Sequence, residues 1–151
     1  QRSRPISAFF SESIANEVSR LVDCPVAVAA ISESPAKQVV LAISRYDLHP
    51  SRSNALRTAI SLAASSAAHK PLVVGPVNPD LLTETGITLP DKAEYQPEET
   101  GLIAWVTKNS EQDSLIITIS HGRAFDRTAL EIYQTGRSVV TVSTNKAPNR
   151  I

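Results

Sequence analysis

The segment CPVAVAAISESPAKQVVLAISR, residues 24–45, decides the fold of this chain. It holds two runs of valine, alanine, leucine and isoleucine, at residues 26–31 and 39–44, with the length and β-branched content of buried strands. A polar turn that contains Pro35 separates them. Because the two runs are close in sequence, the simplest prediction is that they pair as an antiparallel hairpin.

A second segment, LIAWVTKNSEQDSLIITIS, repeats this pattern at residues 102–120. Its apolar runs, 102–107 and 115–120, flank a polar turn and predict a second hairpin. Residues 72–74 predict a short strand, and the β-branched run 139–142 favours one more. The sequence therefore predicts a central antiparallel sheet of five to six strands.

Two segments between the predicted strands have helical spacing. Residues 54–68 are rich in alanine, and small side chains on one face let a helix lie close to a sheet. Asp126 is a predicted N-cap for a helix that runs to about Thr135, and Gly136 suits its C-terminal end. The predicted fold class is α/β of the α+β type, with helices packed on the sheet.

Composition limits the functional classes. The chain has 151 residues, which predicts a single domain, and 15 basic residues balance 15 acidic ones. Nucleic-acid binders show a basic excess, so we expect no nucleic-acid partner. No apolar run approaches the roughly 20 residues of a transmembrane helix, which predicts no membrane insertion. A single cysteine, Cys24, forms no internal disulfide, and this favours the cytoplasm or another reducing compartment.

The ends of the sequence bear on domain organisation. The chain opens at Gln1 and contains no methionine, which indicates a domain cut from a longer polypeptide. Residues 1–5 and 145–151 are expected to be flexible ends.

Several stretches resemble the GAF family of sensory domains, over roughly residues 10–143. They are LVDCPVAVAAIS, HKPLVVGPVNPD, LIAWVTKNSEQDSLIITIS and HGRAFDRTALEIY. The resemblance implies a GAF/profilin-like fold and a regulatory module that binds a small ligand between sheet and helices and signals to neighbouring domains. It also implies helix at 137–143, against the β propensity of that run. The first half is similar to the GlcG/haem-binding type of domain, through CPVAVAAIS, VVLAISRYD and SNALRTAISLAASSA.

Candidate ligand-binding residues lie in two loops. Arg45 and Arg52 flank the start of the alanine-rich helix, where arginine can hold a carboxylate or phosphate; a solvated basic edge is the simpler interpretation. His121 and Arg123 lie between a strand and a helix start, an arrangement that can bind an anion. Asp126 argues against an anion there, because its carboxylate already serves the helix start.

No catalytic motif, metal-ligand spacing or cofactor signature is present in the sequence, so we predict no catalytic residue, no metal site and no identified cofactor. Three alternatives stay open. The first is the sensory module with a small-molecule ligand. The second is a ligand-free protein-interaction or assembly domain, in which one of the adjacent Phe9 and Phe10 faces a protein partner or a second copy in a homodimer. The third is an enzyme that uses His121 and Arg123.

Overall fold

The computed structural model describes residues 25–31, 36–44, 47, 49, 52–66, 72–75, 94–96, 102–120 and 126–143. Within these ranges six strands and three helices follow one another in the order β1 (Val26–Ala30), β2 (Gln38–Ala42), α1 (Ser53–Ser66), β3 (Leu72–Val74), β4 (Glu94–Gln96), α2 (Leu102–Asn109), β5 (Ser114–Ile119), α3 (Arg127–Gln134) and β6 (Ser138–Ser143). Predictions that concern both chain ends, Phe9, Phe10 and Cys24 lie outside the described residues.

All six strands belong to one mixed sheet in the order β1-β6-β5-β2-β3-β4. The pairs β6–β5, β5–β2, β2–β3 and β3–β4 are parallel. Only β1 runs antiparallel to its neighbour, with Val28 opposite Thr141 of β6. The predicted central sheet of five to six strands with helices packed on it is thus confirmed, but its predicted antiparallel character is wrong.

The first predicted hairpin does not form, because β1 and β2 are not neighbours in the sheet. Burial explains why. From Val39 to Ala42 every residue of β2 is buried, as expected of an interior parallel strand covered on both faces. Along β1, half-buried residues alternate with exposed ones, a pattern typical of a strand at the sheet margin.

The second predicted hairpin is also wrong, because residues 102–109 form helix α2 rather than a strand. The chain must pass from β4 to β5, which is parallel to it and lies beyond β3 and β2. Parallel strands need a crossover connection, and a helix is the usual solution. Val106 faces the core while Ala104 and Thr107 are exposed, so one side of α2 is buried.

Other predictions are confirmed. The alanine-rich segment forms α1, and Asp126 caps α3. Residues 138–143 form strand β6, as β propensity predicts, where the resemblance to GAF domains implied helix.

The helices cover opposite faces of the sheet. Leu56, Ala59 and Ala63 of α1 pack in one cluster with Leu41 and Ile117. Helices α2 and α3 pack on the other face, in a second cluster whose buried members are Val40, Ala42, Val74, Val106, Ile116, Ala129, Ile132 and Val139. Right-handed crossovers require this arrangement, since the connection through α1 leads from β2 toward β3 and the connection through α3 leads from β5 the opposite way, to β6.

Candidate functional site

The strand order creates a topological switch point between β2 and β5. From β2 the chain goes on to β3 on one side, and from β5 it goes on to β6 on the other. The connections diverge at the carboxyl ends of these strands, and in open α/β sheets ligands bind in that crevice. The part of the chain that the structure describes contributes Ser44, Asp47, Arg52 and Ser120 to this edge.

Asp47 forms hydrogen bonds to Ser44, just beyond the end of β2. Its Oδ2 accepts hydrogen bonds from the backbone N–H of Ser44 at 2.7 Å and from the Ser44 hydroxyl at 3.0 Å. The aspartate is only 2% exposed. Short acidic side chains commonly fold a loop in this way. As a result the chain's own carboxylate takes a backbone donor at the place where an anionic ligand would be held.

Arg52 links the start of α1 to the carboxyl end of β5. Its Nη1 donates to the carbonyl oxygen of Ser120 at 2.8 Å. Its backbone N–H donates to the carbonyl of His49 at 2.8 Å. One guanidinium nitrogen is therefore used in joining the two elements that border the switch point, and Arg52 stays half-buried at the rim.

Hydroxyl side chains line the carboxyl end of β5 and β6 on the face that α3 covers. Thr118 and Thr141 are partners in the parallel register. Two residues further along, Ser120 and Ser143 continue the same alternation, and the Ser120 N–H donates to Val142 O at 2.8 Å. We call these four residues the hydroxyl array. All four are buried, with at most 3% exposed.

Among the residues that the structure describes, two members of the hydroxyl array have no hydrogen-bond partner. The Oγ1 atoms of Thr118 and Thr141 are buried and unpartnered within the described part of the chain. Buried hydroxyl groups are nearly always hydrogen-bonded, and leaving one unsatisfied costs about 1–3 kcal/mol. Valine has the same shape without this cost, so the two threonines are the feature of this edge that packing does not explain.

The start of α3 lies at the same edge, since α3 follows β5 and leads into the parallel strand β6. Asp126 accepts a hydrogen bond at Oδ1 from the N–H of Ala129 at 3.0 Å. A carboxylate at a helix N-terminus satisfies a free N–H and suits the helix dipole. A second potential anion position is thus filled by the protein's own acid.

The structure places one of the predicted ligand-binding residues, Arg52, at the switch point. His49, near the start of α1, is exposed. No group of three or more histidine, cysteine or acidic side chains that could hold a metal occurs in the described ranges. The other predicted site residues lie outside them: Arg45, His121, Arg123, Phe9 and Phe10.

Sequence reasoning did not single out Thr118 and Thr141, although a signal exists. Each is the one polar residue inside an otherwise apolar stretch of its strand, in the runs LIITI and VVTV. An isolated threonine in a strand that is buried on both faces must find a partner. This argument can be applied only when β5 and β6 are known to be interior strands. The predicted antiparallel hairpins did not indicate this.

Gly75 shapes the neighbouring exit of β3. A Cβ atom at this position would overlap the carbonyl oxygen of Ile43, and its φ angle of +158° is one that side chains disfavour. The adjacent Val74 carbonyl accepts from the Ile43 N–H at 2.8 Å. Glycine therefore lets the exits of β2 and β3 lie in contact.

At the opposite edge of the sheet, Arg137 lies just before β6 and forms several hydrogen bonds. Its Nε donates to the Ser110 hydroxyl at 2.7 Å, Nη1 to the Thr135 hydroxyl at 2.9 Å, and Nη2 to the Ser110 carbonyl at 2.8 Å. A longer contact of 3.4 Å reaches the Thr107 carbonyl. Desolvation lowers the pKa of Arg137. These contacts join the C-terminal ends of α2 and α3, so the residue is structural.

None of the three described helices combines the length and hydrophobicity that a bilayer span requires. Comparison with known proteins adds no family assignment, because no family model matches the chain and no curated protein shows significant similarity to it.

Proposed function

We propose that this domain is a regulatory module that binds a small ligand at the carboxyl edge of its sheet, where the switch point between β2 and β5 adjoins the ends of β5 and β6. The observation that carries the proposal is the pair of buried, unpartnered hydroxyl groups on Thr118 and Thr141. Open α/β sheets bind ligands at this edge, and buried polar groups without partners recur at functional sites. The resemblance to sensory domains supports the same role, although β6 stands where that family has helix.

The route from ligand to neighbouring domains runs through the elements that start at this edge. Arg52 joins the start of α1 to the end of β5, and Asp126 begins α3 on the other face. A ligand held between these two starts contacts both helical layers. If the ligand binds one arrangement of α1 and α3 more tightly than another, binding shifts the population toward that arrangement. Neighbouring domains that contact these helices then respond to the shift.

Thermal denaturation with and without added ligand tests the proposal. The probes are adenosine, D-ribose, AMP and inorganic phosphate. Adenosine and D-ribose offer neutral hydroxyl or ring groups, whereas AMP and phosphate carry an anionic group, so the set shows which kind of group is bound. At a hundredfold excess over its Kd a ligand adds about 2.7 kcal/mol, which raises the Tm of a domain this size by about 5–10 °C. A Tm that none of the four probes changes would refute ligand binding at this edge.

A second candidate is the interaction or assembly domain, and Ile31 favours it. This residue follows the terminal strand β1 and is 57% exposed, the one large hydrophobic side chain so exposed among the described residues. No charged residue occurs from Pro25 to Ile31, and an uncharged edge strand is prone to pair with another strand. In this interpretation the partner is a second copy of the chain, whose β1 pairs with β1 of the first copy about a two-fold axis. Light scattering of the wild type and of Ile31→Lys decides it: the wild type must be a dimer and the variant a monomer.

A further inference from the structure

The hydroxyl array defines the kind of chemical group that the site accepts, and this inference rests on the proposed function. We propose that Thr118 and Thr141 together hold one uncharged polar group of the ligand, such as a hydroxyl, amide or ring nitrogen. Such a group can both donate and accept hydrogen bonds, as the threonine hydroxyls do.

The spacing of the two threonines fits a single bridging group. They are partners in neighbouring parallel strands, which lie about 4.8 Å apart. If the two hydroxyl oxygens keep the spacing of the strands, an atom between them can lie about 2.8 Å from each, which is the normal length of an O–H···O hydrogen bond. One ligand atom thus satisfies both hydroxyls at once.

The charges at this edge select against an anion at this inner position. The carboxylates of Asp47 and Asp126 already take the N–H groups of Ser44 and Ala129. Thr118 and Thr141 themselves are 3% and 0% exposed, so an ion placed beside them loses its hydration, and the hydroxyl array itself carries no charge that offsets this loss. A neutral group has no such cost.

Two of the buried side chains in the cluster on this face of the sheet are alanines. Ala129 is the buried residue in the first turn of α3, and Ala42 of β2 belongs to the same cluster. Leu41 of β2 is paired with Ile117 of β5, so the next residues along the two parallel strands, Ala42 and Thr118, lie side by side. Side chains that end at Cβ fill less of the volume between α3 and the sheet than longer side chains would.

The test replaces both hydroxyls by methyl groups of the same shape. Thr118→Val, Thr141→Val and the double variant are compared with Thr58→Val, whose hydroxyl lies on the exposed side of α1 and bonds to the Asn54 carbonyl. Without ligand, each buried substitution is expected to leave the Tm unchanged or raise it by about 2–4 °C, because an unsatisfied hydroxyl is removed. A fall of several degrees would show that the hydroxyls make structural hydrogen bonds and would overturn the proposal.

Titration with adenosine, and with inorganic phosphate as the anionic probe, gives the second readout. We expect adenosine to stabilise the wild type and Thr58→Val, and to bind the double variant at least tenfold more weakly. Equal binding by wild type and double variant would reject the threonine pair while leaving ligand binding by the domain intact. Failure of adenosine to bind the wild type would overturn the uncharged-group proposal, whereas failure of all four probes would also reject the proposed function. Binding of phosphate that the double substitution abolishes would contradict the preference for a neutral group.

Discussion

Replacing Arg137 with methionine is expected to lower the stability of the domain by about 3 kcal/mol. Methionine keeps an unbranched apolar stem like that of arginine but lacks the guanidinium group and donates no hydrogen bond. The variant loses three well-formed bonds, of 2.7, 2.8 and 2.9 Å, to Ser110 and Thr135. Bonds that involve a charged group contribute about 1.5–3 kcal/mol each, and the desolvation cost of the buried cation, recovered in the variant, offsets part of that loss.

Two further variants make the Arg137 prediction specific. Arg137→Lys keeps the charge but not the planar fork, so an intermediate loss is expected. Arg127→Met serves as the control, since the side chain of Arg127 is 90% exposed and, among the described residues, pairs with Glu131 on its own helix. Such a pair is worth about 0.3–0.5 kcal/mol, so this variant should unfold almost as the wild type does.

Urea denaturation followed by tryptophan fluorescence measures these differences. The chain has a single tryptophan, Trp105, and it lies on α2, the helix whose C-terminal end Arg137 holds. The unfolding midpoint of Arg137→Met should fall clearly while its m value stays constant. If Arg137→Met and Arg127→Met have the same midpoint as the wild type, the network does not stabilise the fold and the reasoning fails.

Three other sets of substitutions test separate parts of the fold. Gly75→Ala should cost about 2–3 kcal/mol in urea denaturation, because the new Cβ meets the Ile43 carbonyl; an unchanged midpoint would contradict the close approach of β2 and β3. Asp126→Ala should cost about 1 kcal/mol and Asp126→Asn much less, since asparagine also caps; equal losses would argue against the cap. Ile117→Ala should cost about 2–5 kcal/mol, whereas Ile31→Ala should change stability by about 0.5 kcal/mol or less, and a similar effect of both would mean that burial is misassigned.

The sequence predicts the position of most strands but not how they pair. Apolar, β-branched runs mark β1, β2, β3, β5 and β6 because strand propensity and burial are local properties. Pairing depends on which strands lie in the interior, and closeness along the chain favoured hairpins instead. The clue was present in β2, where an uninterrupted apolar run indicates burial on both faces rather than alternation.

Helix α2 illustrates how tertiary structure overrides local preference. Its tryptophan, isoleucine, valine and threonine all favour strands, but the crossover to β5 requires a helix. Of the residues named from the sequence, Arg52 lies at the switch point, and its role there stays a prediction. Thr118 and Thr141 stand out only once β5 and β6 are known to be covered on both faces. Lone threonines in a strand are otherwise unremarkable.

The pairing of β1 with β6 joins the first described strand of the domain to its last. During synthesis, β1 is made more than 100 residues before its partner β6. It therefore has no strand of this sheet to pair with until the other elements have been made. Strands β2 to β5 can associate with one another during that interval, because none of their pairings involves β1. Docking of β1 onto β6 can occur only after β6 has been made, so it is a late step of folding.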